Sequence, residues 1–118
     1  MKNFLNISDL SSHDLKEIIE EAKTRKLKRA GLNKSAVDID EPLVGKSMIM
    51  IFEKPSTRTR ISFELAITQL GGNSIFLDPN TSQLGRGETI QDTAKVISRY
   101  VDGIFIRSAS HKDLNEFA

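Results

Sequence analysis

Ser56, Thr57, Arg58, Thr59 and Arg60 follow one another without a break, and a further arginine, Arg107, closes a short apolar run later in the chain. Alternating hydroxyls and guanidinium groups are hydrogen-bond donors that suit a small, doubly charged oxyanion such as phosphate. Arg58 offers a planar fork matched to two phosphate oxygens, and Ser56, Thr57 and Thr59 supply hydroxyls. The backbone adds donors of its own if this stretch opens a helix, because the first turn carries unpaired N–H groups and a partial positive charge. The glycine-lysine pattern of nucleoside-triphosphate loops does not occur, and no glycine stands between Lys46 and Leu70. A phosphate site without a triphosphate cradle is the chemistry expected, against the plainer alternative of a capped helix start with surface arginines.

The flanking residues say how such a corner would be held. Met48-Ile49-Met50-Ile51-Phe52 is a short continuous apolar run, the pattern of a strand covered on both faces in a parallel sheet. Ile61, Phe63, Leu65, Ala66, Ile67 and Leu70 predict a well-buried helix ended by Gly71-Gly72, with Arg60 and Glu64 four apart for pairing on its exposed side. Asn73 to Leu77 predicts a second strand, stopped at Asp78-Pro79, and Asn80 to Gly87 a polar loop. Thr89 and Asp92 open another helix with core positions Ile90, Ala94, Ile97 and Val101, and Asp102-Gly103 turns into a third strand, Ile104-Phe105-Ile106, with Arg107 at its end. Ser110 and Asp113 begin one more helix. Upstream, Leu15, Ile18, Ile19 and Ala22 give a helix with one apolar face, started at Ser11 and Asp14 and stopped by Gly31. Asn33 to Gly45 reads as a surface connection.

Alternation of this kind means an α/β fold, a three-layer parallel sheet with helices on both faces and right-handed crossovers. Ligands of such sheets collect outside the carboxyl ends of the strands, so the corner after Phe52 and Arg107 fall on one edge.

Composition sets limits on partners. The 118 residues suffice for one domain with one core, and a net charge of +1 gives no global field for nucleic acid or anionic membrane. The basic cluster Lys23, Arg25, Lys26, Lys28 and Arg29 reads as a solvated helix end, since no aromatics interleave it. The lack of cysteine excludes disulfides and thiolate chemistry and suits a cytoplasmic chain. No stretch approaches a membrane span, and no secretory signal follows Met1. His13 and His111 sit apart at helix starts and read as solvated residues, so no metal site is expected. Glu53 reads as a structural carboxylate, Arg60 as structural, and Met48 and Met50 as strand core.

At this point the motifs become specific. Phe52-Glu53-Lys54-Pro55-Ser56-Thr57-Arg58-Thr59-Arg60 resembles the carbamoyl-phosphate signature of the aspartate and ornithine transcarbamoylases, with Phe-Glu-Lys in the form of the ornithine branch. Phe76 to Asn80, Gln83 to Thr89, Asp92-Thr93-Ala94 and Ser98 to Ile104 through Arg107 resemble the ornithine carbamoyltransferases in order and spacing. The resemblance implies that residues 1–118 are an incomplete amino-terminal carbamoyl-phosphate-binding domain. It implies that Ser56, Thr57, Arg58, Thr59, Gln83 and Arg107 bind carbamoyl phosphate, with Arg58, Thr59 and Arg107 catalytic. The reaction implied is attack of the ornithine δ-amine on the carbamoyl carbon to give citrulline and phosphate, an arginine-biosynthesis or urea-cycle type of step with no metal or organic cofactor. The resemblance further places Gln83 on a mobile loop that reaches into a neighbouring subunit's site, which implies a homotrimer.

The family chain is more than twice as long. Its His-Pro-x-Gln segment and the ornithine-binding domain are missing from these 118 residues. The chain by itself is therefore expected to show no transferase activity and to leave an apolar sheet edge unpaired. The alternatives are a carbamoyltransferase acting on aspartate or another amine, and a non-catalytic anion-binding or oligomerisation piece.

Overall fold

The computed structural model describes residues 3–54, 56–78, 89–108 and 110–118, the Ile90 side chain apart, and the chain divides into two compact units, Met1–Asn33 and Lys34–Ala118. The first unit holds a 3-10 turn, Ile7–Asp9, and the helix α1, Ser12–Lys28. Ser11 starts α1 as expected, its hydroxyl accepting from the Asp14 N–H at 3.1 Å. Glu20 and Glu21 pair with Lys23 and Arg25 at 3.3 and 3.0 Å, so part of the basic cluster is answered by the helix's own acids. The expected apolar face is not buried: Ile18 and Ile19 are both more than half exposed. One helix and a 3-10 turn provide no second layer to cover it within the unit.

The second unit is built on β1, Ser47–Phe52, followed by α2, Thr57–Gln69, then β2, Asn73–Leu77, α3, Ile90–Ile97, β3, Gly103–Arg107, and α4, His111–Phe117. The described strands form one parallel sheet in the order β2-β1-β3. The α/β architecture is therefore the one expected. Side chains alternate across a strand; Met50 at 0% exposure and Ile51 at 1% lie on opposite faces of β1, so the central strand is covered on both sides. Met50, Phe52 and Ile67 form the buried cluster, with Met48, Phe76 and Phe105 packed against it.

Chain order differs from spatial order. From β1 the chain passes through α2 to β2 on one side, then through α3 to β3 on the other. This reversal puts a crevice between the carboxyl ends of β1 and β3, the place where open α/β sheets hold ligands. Register fixes what stands there: Phe52 pairs with Arg107, and the ladder runs one step further through the Glu53 N–H donating to the Arg107 carbonyl at 3.0 Å.

Contrary to expectation, α2 is only partly buried. Ile67 is the buried residue, at 2% exposure, and Phe63 reaches the Phe105 ring at 4.9 Å, but Ile61 stays 50% exposed and Leu65 38%. The apolar residues run more than halfway round the helix, whereas α2 packs along β2 with one side. Its far end is well anchored. Gly71, at φ 91°, lets the Gly72 N–H bond the Ile67 carbonyl at 2.9 Å, while Asp38 and Leu43 N–H groups take the Gln69 and Leu70 carbonyls. The connection before β1 is thus a surface segment that also satisfies the end of α2.

On α3 the buried position is Thr93, 5% exposed, while Ala94, Ile97 and Val101 are half-buried and the Ile90 side chain lies outside the described residues. The Thr93 hydroxyl has no hydrogen-bond partner among the described residues. An unpaired buried hydroxyl is destabilising, and valine keeps its shape and β-branching. Thr93→Val is expected to leave stability unchanged or raise it by about 1 kcal/mol, measured by urea unfolding. A loss beyond about 1 kcal/mol would show that the hydroxyl stabilises the fold.

Candidate anion-binding site

A serine or threonine immediately precedes each of the α-helices. Ser11, Thr89 and Ser110 behave as their type predicts, each accepting from the N–H three residues on, at 3.1, 3.1 and 3.4 Å. Ser56 does not. It precedes α2 in an unusual backbone conformation, φ −152° and ψ 82°, and makes no cap. Its hydroxyl donates instead to Thr59 Oγ1 at 2.9 Å and accepts from Arg107 Nη1 at 2.6 Å. The same Nη1 reaches Thr59 Oγ1 at 3.3 Å.

The hydrogen-bond count shows what is left over. The N–H groups of Thr57, Arg58 and Thr59 have no acceptor among the described residues, because the α2 ladder begins with Arg60 N–H to the Ser56 carbonyl, 2.9 Å. Thr59 accepts twice, so its own hydroxyl hydrogen is uncommitted. Arg107 uses one nitrogen, and its Nε and Nη2 make no bond among the described residues. Unpaired amides, a free hydroxyl hydrogen and a cation thus gather at the positive end of α2, an arrangement able to bind an anion.

A cleft of about 210 Å³ opens beside this knot, lined by Phe52, Glu53, Lys54, Ser56, Thr57, Arg60, Phe76 and Asp78. Its aromatic wall is the edge-to-face pair Phe52 and Phe76, 6.0 Å between centroids. Arg60 lies 3.7 Å over the Phe76 ring and holds Glu64 at 3.0 Å, the pairing expected from their spacing. These contacts are those of the structural residue expected, and Arg60 also lines the cleft.

The structure therefore brings Ser56, Thr59 and Arg107 together and sets Thr57 in the adjoining cleft. The Arg58 side chain is exposed and makes no hydrogen bond among the described residues, although its carbonyl accepts from Ser62 Oγ at 2.9 Å. Gln83 lies outside the described residues. No group of three or more metal-ligating side chains occurs among the described residues.

Comparison with known proteins follows the same lines. The ornithine carbamoyltransferase of Rhizorhabdus wittichii is 50% identical over 117 residues, 99% of this chain and 38% of that protein. That of Rhizobium johnstonii is 52% identical over 118 residues, 99% of this chain and 37% of that protein. The chain thus spans little more than a third of the length of the curated relatives it matches. Among solved structures, ornithine carbamoyltransferase from Pyrococcus furiosus superposes with a TM-score of 0.84 at 43% identity, covering 98% of this chain and 36% of that one. The catalytic subunit of M. jannaschii aspartate transcarbamoylase gives 0.79 at 31%, covering 99% and 38%. The family model of the aspartate/ornithine carbamoyltransferase carbamoyl-P binding domain matches residues 2–118, so the chain belongs to that carbamoyltransferase family.

Proposed function

We propose that the chain, a single incomplete domain, is the carbamoyl-phosphate-binding part of an ornithine carbamoyltransferase. One observation carries the reading: Ser56 leaves its helix uncapped and joins Thr59 and Arg107, so that three backbone amides and a guanidinium stand open at the switch point of the sheet. In this reading Ser56, Thr57, Arg58 and Thr59 hold the phosphate, with Gln83 reaching it from a neighbouring subunit. Arg107 spans phosphate and the carbamoyl oxygen. The ornithine δ-amine, presented by the part of the enzyme beyond this chain, attacks the carbamoyl carbon. Negative charge builds on the carbamoyl oxygen, where Arg107 and Thr59 oppose it. The C–O bond to phosphate then breaks, the amine loses a proton, and citrulline and phosphate result. Holding both substrates in line supplies the proximity term.

Ornithine is favoured over aspartate by Glu53-Lys54 and by relatives near 50% identity that carry the ornithine name. Such a step belongs to arginine metabolism. A homotrimer is the assembly implied by the resemblance, in which the loop carrying Gln83 is shared between subunits. A cytoplasmic setting is favoured by the cysteine-free composition. No helix among the described residues is long and apolar enough to cross a membrane.

Titration of the chain with carbamoyl phosphate, and separately with inorganic phosphate, tests the reading. Both are expected to bind saturably and to shift the amide resonances of Thr57, Arg58 and Thr59. Saturable binding that leaves those three amides unmoved would refute the placement, and no binding would refute the site.

A further inference from the structure

Glu53 is a carboxylate on the wall of a cleft assigned to an anion, where its charge works against binding. Its contacts give a reason for its presence. Its N–H donates to the Arg107 carbonyl at 3.0 Å, and its Oε1 accepts from Ser108 Oγ at 3.0 Å. Backbone and side chain of one residue thus hold two consecutive residues of the opposing strand end, Arg107 and Ser108. The Ser108 hydroxyl also lies 3.0 Å from the Ser110 carbonyl and accepts from the Ser110 N–H at 3.1 Å. A hydroxyl has one hydrogen to donate, so Glu53 and the Ser110 carbonyl compete for it, and an ionised carboxylate is the stronger acceptor. With Glu53 in place, Ser108 is tied across the crevice to β1. Without it, Ser108 turns into its own loop, and the residue next to Arg107 loses its side-chain anchor.

We propose that Glu53 is a positioning residue for Arg107: by fixing Ser108 it sets the end of β3, and so the place of the guanidinium against Ser56 and Thr59. The proposal rests on the phosphate-site reading for its functional meaning but not for its geometry. It predicts the opposite sign from simple electrostatics. Removing a carboxylate beside an anion site tightens binding if charge is all that matters, and loosens it if position matters.

The test compares the chain with Glu53→Ala, Glu53→Gln and Ser108→Ala in two measurements. Inorganic phosphate titration is expected to give binding about fivefold weaker for Glu53→Ala and Ser108→Ala, the usual net effect of one hydrogen bond, with Glu53→Gln between them and the native chain. The double variant should lose less than the two single losses combined, since the Glu53–Ser108 link is broken in each. Exchange of the Arg107 Nη protons, followed by NMR without phosphate, is expected to be slow in the native chain and faster in both alanine variants. A loss of fold stability alone would not produce that local change. Phosphate binding as tight or tighter in Glu53→Ala overturns the proposal, as does Arg107 exchange equal to native. If the native chain binds no phosphate, the site reading fails, and the exchange comparison still decides whether Glu53 positions Arg107.

Discussion

Arg107→Ala is expected to weaken carbamoyl phosphate and inorganic phosphate binding by about ten- to a hundredfold while leaving the fold intact. A hydrogen bond to a charged group is worth about 1.5–3 kcal/mol, and 1.36 kcal/mol is about tenfold in affinity. The cation is lost, and so is the contact that turns Ser56 away from α2. Once released, the Ser56 hydroxyl is free to cap its own helix as Ser11, Thr89 and Ser110 do, which would occupy an amide the anion needs. Both effects lower affinity, while a new cap stabilises by about 1 kcal/mol. The expected signature is therefore loss of binding with an unchanged or slightly raised melting temperature. Arg107→Lys should recover only part of the loss, because the guanidinium holds Ser56 and Thr59 through Nη1 and keeps Nε and Nη2 in the same plane for the anion, an array that an ammonium lacks. Isothermal titration beside thermal melting measures both quantities. Binding of Arg107→Ala within twofold of native would remove Arg107 from the site.

Met50→Ala is expected to cost about 2–5 kcal/mol, the range for emptying a buried methionine-sized site. Met50 is fully buried at the middle of β1 and belongs to the cluster that Ile67 of α2 and Phe52 complete. Since small domains are stable by only about 5–15 kcal/mol, that loss is a large share of the total. Met50→Leu, which nearly conserves volume, should cost less than about 1.5 kcal/mol. Urea unfolding of the three proteins gives the comparison. A cost for the alanine variant below about 1 kcal/mol would mean that the sheet is not held from this point. Because Phe52 ends the same strand and precedes the site, loosening here should also reach phosphate binding.

Much of this was legible in the residues. The apolar run at Met48 to Phe52, the serine and threonine starts and the glycine stop at Gly71-Gly72 encode their own local structure. They depend on contacts within a few residues and on backbone preferences that act in any context. That is why the strands and helices fall where periodicity puts them, and why Arg107 stands at a strand end. The family motifs were equally local. Burial was less legible. The helix of Ile61 and Leu65 was expected to be well buried and leaves both exposed, and the apolar face at Ile18 and Ile19 is exposed as well. A hydrophobic pattern records that a surface is to be covered but not by what. For the same reason the buried residue of α3 among those described is Thr93, where the pattern pointed to Ile90, Ala94, Ile97 and Val101.

The site divides along the same line. Sequence by itself determined the donors: hydroxyls and guanidinium groups at a helix start, and an arginine closing a later strand. Only the tertiary structure decided how they are used. Placing β3 beside β1 rather than beyond β2 brings Arg107 to Ser56 across 51 positions of chain, and this contact takes the hydroxyl from the cap its type predicts. The same strand neighbourhood gives Glu53 its hold on Ser108. A hydroxyl's local preference is worth about 1 kcal/mol, and a charged partner held in place by a sheet outweighs it.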